Sequence, residues 1–171
     1  MKNTPERPPA RIRSRPGRDY EEFVVGDVYE HRPGRTVSET DNTWFTLLTM
    51  NGHPAHFDHA YAAHTEFGKP LVNSTLTLAI VAGMSVADTS FRAIGNLGWT
   101  DIRLVNPVFA GDTLYAESEV LAKRLSASRP GQGIVTVRTI GRKADGPVVI
   151  TYERSFLIAT AEAAVHAAAN Y

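Results

Sequence analysis

The hydrophobic pattern of this chain changes period about half-way along it. Residues 75–85 are apolar on nearly every side, which is typical of a helix buried in a protein core. The chain beyond them alternates apolar and polar residues, which indicates strands with one buried face. Turns rich in Gly, Pro and Asp join most of the four long strands predicted there, at residues 94–108, 112–126, 133–143 and 148–159. This order predicts an α+β domain in which an antiparallel sheet wraps around the buried helix.

A strand and a second helix are predicted before the buried helix. Residues 23–37 contain two extended pieces about a Gly-Asp turn. Ser38 and Asp41 have the spacing of a capping box, so a helix is predicted to begin there and to end near Met50. Its apolar residues recur on one face: Trp44, Leu47 and Leu48.

Two further helix starts are marked by N-cap residues. Asp58 is a candidate cap for a short helix over residues 59–67, which Gly68 stops. Asn73 or Ser74 can cap the buried helix.

The two ends of the chain differ in composition from the part between them. Residues 1–18 hold five arginines and four prolines and little that can be buried, which predicts a disordered or extended arm. Residues 19–158 are predicted to form one domain, and residues 159–171 an Ala-rich tail or helix. The chain lacks the apolar core of a signal peptide and a membrane-spanning stretch, so we expect a cytoplasmic protein with no membrane partner.

The overall charge gives no sign of a polyanionic partner. The 171 residues carry 18 basic and 18 acidic side chains, so the formal net charge is zero, and no nucleic-acid partner is expected. There is no cysteine, which excludes disulfides, thiolate chemistry and Cys-type zinc sites. No cofactor is predicted.

Four of the six histidines fall within residues 51–64, and three explanations compete: a metal site, a proton-transfer site and a solvated loop. His53, His56 and Asp58 are of ligand type, but Pro54 disfavours a continuous helix here and no second cluster of ligands occurs, so no metal is predicted.

The remaining histidines of this stretch differ in their expected setting. His59 and His64 fall on different faces of the short helix, which is typical of solvated side chains. His56 ends a loop just before a helix start, where its ring can reach a cleft as a general base.

The histidine-rich stretch is part of a longer pattern. Residues 51–84, NGHPAHFDHAYAAHTEFGKPLVNSTLTLAIVAGM, resemble the hydratase signature of the MaoC-like family, the type 2 enoyl-CoA hydratases. That signature runs Asp-x-Asn-Pro-apolar-His and continues into the central helix. Residues 106–120, NPVFAGDTLYAESEV, resemble the start of a later strand of the family. The resemblance extends over residues 20–158 and implies a single hot-dog domain, a curved sheet around a long helix. It is strongest to the branch assigned to mesaconyl- or itaconyl-CoA.

The resemblance implies a set of site residues. His56 matches the family's catalytic histidine, Asn51 stands at its catalytic aspartate, and His53 stands at the asparagine before the proline. The family's oxyanion-hole glycine corresponds to Ser74, so the backbone N–H groups of Ser74 and Thr75 are expected to face the thioester oxygen. Two residues are expected to contact substrate: Asn73 and Asp58.

The function implied is the addition or removal of water at the double bond of a 2-enoyl-CoA. An aspartate near the substrate would repel a substrate carboxylate, so neutral Asn51 favours a short dicarboxylic acyl-CoA. Two alternatives stay open: a hot-dog thioesterase, which the lack of an acid before Asp88 on the buried helix disfavours, and a non-catalytic acyl-CoA-binding protein. The family pairs its sheets edge to edge, so we expect a homodimer or a higher oligomer of dimers, with sites at the subunit interface.

Overall fold

The computed structural model describes residues 16–163 of the chain. Most of the predicted arm, residues 1–15, and of the predicted tail, residues 164–171, lies outside the described part. Where the arm joins the domain, the Gly17 N–H donates a hydrogen bond to the Ala87 carbonyl at 2.9 Å. The inner end of the predicted tail is a 3₁₀ turn, Ala161–Ala163.

Five antiparallel strands form one sheet. They are β1 (Val28–Thr36), β2 (Ala93–Leu104), β3 (Thr113–Leu125), β4 (Gln132–Lys143) and β5 (Val148–Ala159). Their order across the sheet is β1-β3-β4-β5-β2. The middle strands, β3 to β5, are joined by short turns, and over most of their length buried residues alternate with half-buried ones, as their sequence period predicts.

Three α-helices accompany the sheet: α1 (Glu39–Leu48), α2 (His59–Ala62) and α3 (Ser74–Ser85). Leu76 and Val81 of α3 belong to one buried cluster with residues of β3 and β5. Gly141 of β4 allows this approach, because a Cβ there would lie 2.8 Å from a methyl of Val81. A sheet packed around one long helix is the hot-dog fold, and the predicted fold is confirmed. None of the helices within residues 16–163 has the length and apolar content needed to cross a bilayer.

The predicted element ends are correct at some places and wrong at others. The Ser38–Asp41 capping box is present and begins α1 at Glu39. The second helix is four residues rather than nine: beyond Ala63, the N–H groups of His64 and Thr65 donate to the Tyr61 and Ala62 carbonyls, so three-residue turns replace the helical hydrogen bonds. A π-helical turn, Val86–Ser90, prolongs α3 and was not predicted.

Strand β2 is an edge strand that nothing within residues 16–163 covers. None of its twelve residues is buried, although β5 beside it is largely buried. Its exposed side chains include five large apolar ones: Ile94, Leu97, Trp99, Ile102 and Leu104. Such an edge is a surface for pairing with another chain.

Candidate active site

The histidine-rich loop meets the N-terminus of α3. The Leu71 N–H donates to the Ala55 carbonyl at 3.0 Å, which ties the loop to the segment that leads into the helix. The Asn51 N–H donates to the Thr46 carbonyl at 3.0 Å, so the loop is also anchored to the end of α1. The fold therefore brings His56 and Ser74 into one region, although they are far apart in sequence.

His56 is held in one tautomer. Its Nδ1 atom lies 2.8 Å from the Leu71 carbonyl oxygen. Because a carbonyl only accepts hydrogen bonds, Nδ1 carries the hydrogen and Nε2 carries the free lone pair of the neutral ring. The ring is half-buried. His56 thus presents a proton acceptor.

His53 is held in the opposite tautomer. Its Nδ1 accepts the Ala55 N–H at 3.2 Å and caps the 3₁₀ turn Pro54–His56. Because a backbone N–H only donates, this nitrogen is unprotonated and Nε2 carries the hydrogen. The two imidazole centroids are 5.9 Å apart, and the ring of Tyr61 lies 6.1 Å from His53, edge to face. One imidazole presents a proton acceptor and its neighbour a hydrogen-bond donor.

Asn51 contributes a polar group that cannot act as a base. Its side-chain oxygen accepts the His53 N–H at 3.1 Å, which shapes the turn before the proline. The amide nitrogen of Asn51 has no hydrogen-bond partner within residues 16–163. It is therefore available to hold a water molecule or a substrate oxygen.

The N-terminus of α3 distinguishes the two expected oxyanion donors. The side-chain oxygen of Asn73 accepts the Thr75 N–H at 2.9 Å, so this donor is occupied by the helix cap. In the described part of the chain, the Ser74 N–H has no partner. Ser74 lines an open cavity of about 220 Å³ between the start of α3 and residues 104–108. The helix dipole favours negative charge at this position.

The two residues expected to contact substrate each make a structural contact. Asn73 is 3% exposed, and its amide nitrogen donates to the Thr46 hydroxyl at 3.2 Å. Asp58 caps α2 by accepting the Tyr61 N–H at 3.0 Å. A substrate contact at Asn73 would require its cap bonds to break, whereas the exposed carboxylate of Asp58 keeps accepting capacity.

Sequence reasoning missed the polar face of α1. The buried residues of this helix are Asn42 and Thr46, whereas Trp44 is 75% exposed and Leu48 is 82% exposed. Asn42 contacts the backbone at His56, Leu71 and Asn73. The only signal in the sequence is the four-residue spacing of two polar residues opposite an apolar face.

The other members of the histidine cluster are exposed, as predicted. Nε2 of His59 lies 2.6 Å from a carboxylate oxygen of Glu39, both side chains being exposed, and His64 is exposed as well. No group of three or more His, Asp or Glu side chains within residues 16–163 is placed to hold a metal ion.

Comparisons with known proteins agree on one family. A model of the family described as mesaconyl-CoA hydratase matches residues 7–169. A mesaconyl-CoA hydratase of Cereibacter sphaeroides is 32% identical over 164 residues, which are 92% of this chain and 46% of that protein. The chain thus spans about half the length of the curated relatives it matches.

Solved structures show the same fold. A monoamine oxidase regulatory protein from Archaeoglobus fulgidus superimposes with a TM-score of 0.77 at 33% identity, over 87% of this chain and 99% of that one. A MaoC-like dehydratase from Rhodospirillum rubrum superimposes with a TM-score of 0.74 at 27% identity, over 84% and 98% of the two chains.

Proposed function

Because this chain belongs to the mesaconyl-CoA hydratase family, we propose that it adds water to the double bond of a 2-enoyl-CoA thioester, or removes it in reverse. The observation that carries the proposal is the pair of imidazoles in opposite tautomers, in a loop that is hydrogen-bonded to the segment leading into α3. Such a pair supplies a base for water and a separate donor for a substrate oxygen.

His56 acts as the base in this mechanism. Its Nε2 takes a proton from water as the water oxygen bonds to the β-carbon. The double-bond electrons move toward the thioester carbonyl, which becomes an enolate oxygen. The α-carbon then takes the proton back from Nε2 of His56, so that one water is added and the ring returns to its starting tautomer.

Ser74 stabilises the enolate. Its N–H has no hydrogen-bond partner within residues 16–163, and Ser74 lines a cavity of about 220 Å³. A backbone donor aimed at a developing oxyanion contributes about 3–4 kcal/mol to the transition state. The Thr75 N–H would become a second donor to the enolate only if its hydrogen bond to the Asn73 side chain broke.

The substrate is a short dicarboxylic enoyl-CoA of the mesaconyl or itaconyl type. Asn51 carries no charge, so it does not repel a substrate carboxylate as an aspartate would. The Nε2–H of His53 and the free amide nitrogen of Asn51 are two donors that a carboxylate oxygen or the attacking water can use. The exposed carboxylate of Asp58 can accept a hydrogen bond only from a substrate group that carries a donor hydrogen.

A second copy of the chain completes the site. The cavity beside Ser74 is open and is bounded by residues 104–108, which continue from the uncovered strand β2. Pairing of two β2 strands buries their apolar side chains and places a partner beside this cavity. The substrate site accordingly lies at the interface of a homodimer.

The test is incubation of the purified protein with mesaconyl-CoA and crotonyl-CoA. We expect loss of the enoyl-thioester absorbance and a hydroxyacyl-CoA product, with the larger kcat/KM for the dicarboxylic substrate. Release of free CoA thiol would instead mean a thioesterase. Binding without any product would mean a non-catalytic acyl-CoA-binding protein, and either result would overturn the proposal.

A further inference from the structure

A single buried side chain, Asn42 of α1, joins the backbone segments that carry the proposed base and the proposed oxyanion donor. Asn42 is 2% exposed. Its amide nitrogen donates to the His56 carbonyl at 2.7 Å and to the Leu71 carbonyl at 3.1 Å. Its amide oxygen accepts the Asn73 N–H at 2.8 Å. One side-chain amide therefore makes three hydrogen bonds to main-chain groups around the site, at His56, Leu71 and Asn73.

The orientation of this amide is unambiguous. Both partners of its nitrogen are carbonyls, which only accept, and the partner of its oxygen is an N–H group, which only donates. A reversed amide would place its oxygen against two carbonyl oxygens. Aspartate has the same size but no donor when ionised, and leucine has neither donor nor acceptor, so asparagine alone among residues of this shape meets all three needs.

The contacts of Asn42 are one step from the reacting groups. The Leu71 carbonyl accepts hydrogen bonds from both Asn42 and Nδ1 of His56, so Asn42 fixes the acceptor that sets the tautomer of the base. Asn73, whose N–H it binds, immediately precedes Ser74 and caps α3. The distance between the base and the oxyanion donor therefore depends on this amide.

We propose that Asn42 is a positioning residue for the hydration reaction: it holds His56 in the Nδ1–H tautomer and holds the base loop at a fixed distance from the N-terminus of α3. This role rests on the proposed function of the site. Asn42 is buried behind the loop and acts through the main chain of other residues.

The first measurement is the kinetic effect of Asn42→Leu. A displacement of about 1 Å between reacting groups costs about 100-fold in rate, so kcat should fall by that order. KM should change by less than about threefold, since ground-state contacts with the thioester are kept. The matched control is Ser118→Ala, which removes a buried hydroxyl that contacts His31 and Thr139. It should lower stability and leave kcat within about twofold of wild type.

The second measurement is independent of activity. Nitrogen-15 NMR of the His56 ring in the free dimeric protein should show the Nδ1–H tautomer in wild type. Asn42→Leu should shift the ring toward the Nε2–H tautomer, the form that a histidine without a fixed partner prefers. Ser118→Ala should leave the wild-type signal, because it loses a buried hydrogen bond elsewhere in the core.

A third variant covers the case in which Asn42→Leu does not fold. Asn42→Asp keeps the volume and the acceptor for Asn73, but it retains at most one donor, so at least one of the two carbonyl contacts is lost. We expect kcat to fall with KM kept, and the His56 ring to move toward the Nε2–H tautomer as in Asn42→Leu. A residue that served stability alone would leave both the tautomer and kcat unchanged.

The proposal is supported if the Asn42 variants lose kcat with KM kept and alter the His56 tautomer. It is overturned if the His56 signal is unchanged, or if Ser118→Ala lowers kcat as much as Asn42→Leu does. If the wild-type protein proves inactive on every enoyl-CoA, that result refutes the proposed function but not the role of Asn42. The NMR comparison then still decides whether Asn42 sets the His56 tautomer.

Discussion

At the scale of single residues, hydrogen bonds to the main chain hold two histidine side chains of the site in different tautomers. His53 and His56 are both imidazoles, yet one uses Nδ1 to accept and the other uses Nδ1 to donate. The sequence identified both residues as candidates. It could not show their tautomers, because the partner of His56 is the Leu71 carbonyl, which only the tertiary fold brings near.

His56→Ala removes the proposed base. Loss of a general base typically lowers turnover by about 100-fold or more, and we expect that decrease in kcat on mesaconyl-CoA. The matched control is His64→Ala, which removes an exposed histidine of the same cluster and should keep wild-type kcat. Full activity of a folded His56→Ala protein would refute the assignment.

Asn51→Asp tests whether a neutral residue serves an anionic substrate. The new carboxylate should raise KM for mesaconyl-CoA, by about tenfold for each 1.4 kcal/mol of repulsion. With crotonyl-CoA, which has no carboxylate, activity should stay level or rise.

The comparison is the ratio of kcat/KM on the two substrates for wild type and variant. A ratio that does not move toward crotonyl-CoA in the variant would show that Asn51 is unrelated to substrate charge.

At the scale of elements, the middle strands follow from their hydrophobic alternation and α3 from its nearly continuous apolar run, whereas the polar contacts between elements follow from neither. Alternation identifies β3 to β5 because one face of each is buried in the core. The inward face of α1 was missed because it is polar and binds main-chain groups, while its apolar face is exposed. A periodic pattern identifies an apolar face without showing what covers it.

A buried polar row joins β1 to the end of α3. Nδ1 of His31 lies 2.8 Å from Asp88 of the π-helical turn, and its Nε2 lies 2.8 Å from the Ser118 hydroxyl of β3. His31 is fully buried. Burial lowers its pKa below the usual 6.5, helped by the charges of Arg154 and Arg18, although Asp88 acts in the opposite direction. In the native state this imidazole resists protonation.

This burial predicts an acid-sensitive stability. The unfolded chain protonates His31 as the pH falls below about 6.5, while the folded chain does so only at lower pH, so protonation favours unfolding in that range. The contribution of His31 to the free energy of unfolding should be complete above pH 7. Below pH 6.5 it should fall by at most about 1.4 kcal/mol per pH unit.

The measurement is the free energy of unfolding of wild type and His31→Gln at pH 7.5 and pH 5.5. The decrease in the free energy of unfolding caused by the substitution should be larger at pH 7.5. At pH 5.5 wild type is itself destabilised, because its unfolded chain protonates His31, whereas the variant has no imidazole at this position. His64→Gln serves as the exposed control and should show no such difference. Equal losses for His31→Gln at both pH values would contradict the inferred titration.

At the scale of the whole molecule, one chain leaves an apolar sheet edge uncovered beside an open cavity. The uncovered strand β2 and the open cavity beside Ser74 adjoin each other, and the chain spans about half the length of its curated relatives. The sequence predicted a paired assembly from the fold implied by its family resemblance. It could not show that no residue of β2 would be buried, because burial at an edge depends on what lies beyond it.

Trp99→Glu tests the proposed pairing. Trp99 is 42% exposed on β2, and a charge there should oppose burial against a second copy. Analytical ultracentrifugation should show a dimer for wild type and a shift to monomer for the variant, with activity lost in parallel. Leu125→Glu, at an exposed position on β3, should leave the dimer intact. A wild-type protein that is monomeric and fully active would exclude an interfacial site.

The most direct test of the account follows the oxygen of water into the product. Wild type and His56→Ala are incubated with mesaconyl-CoA in water enriched in oxygen-18, and the acyl-CoA products are analysed by mass spectrometry. The account predicts one labelled hydroxyl in the wild-type product, with free CoA at background, and about 100-fold slower labelling by His56→Ala. Unlabelled substrate with wild type, label in a released carboxylate, or equal labelling rates for the two proteins would contradict it.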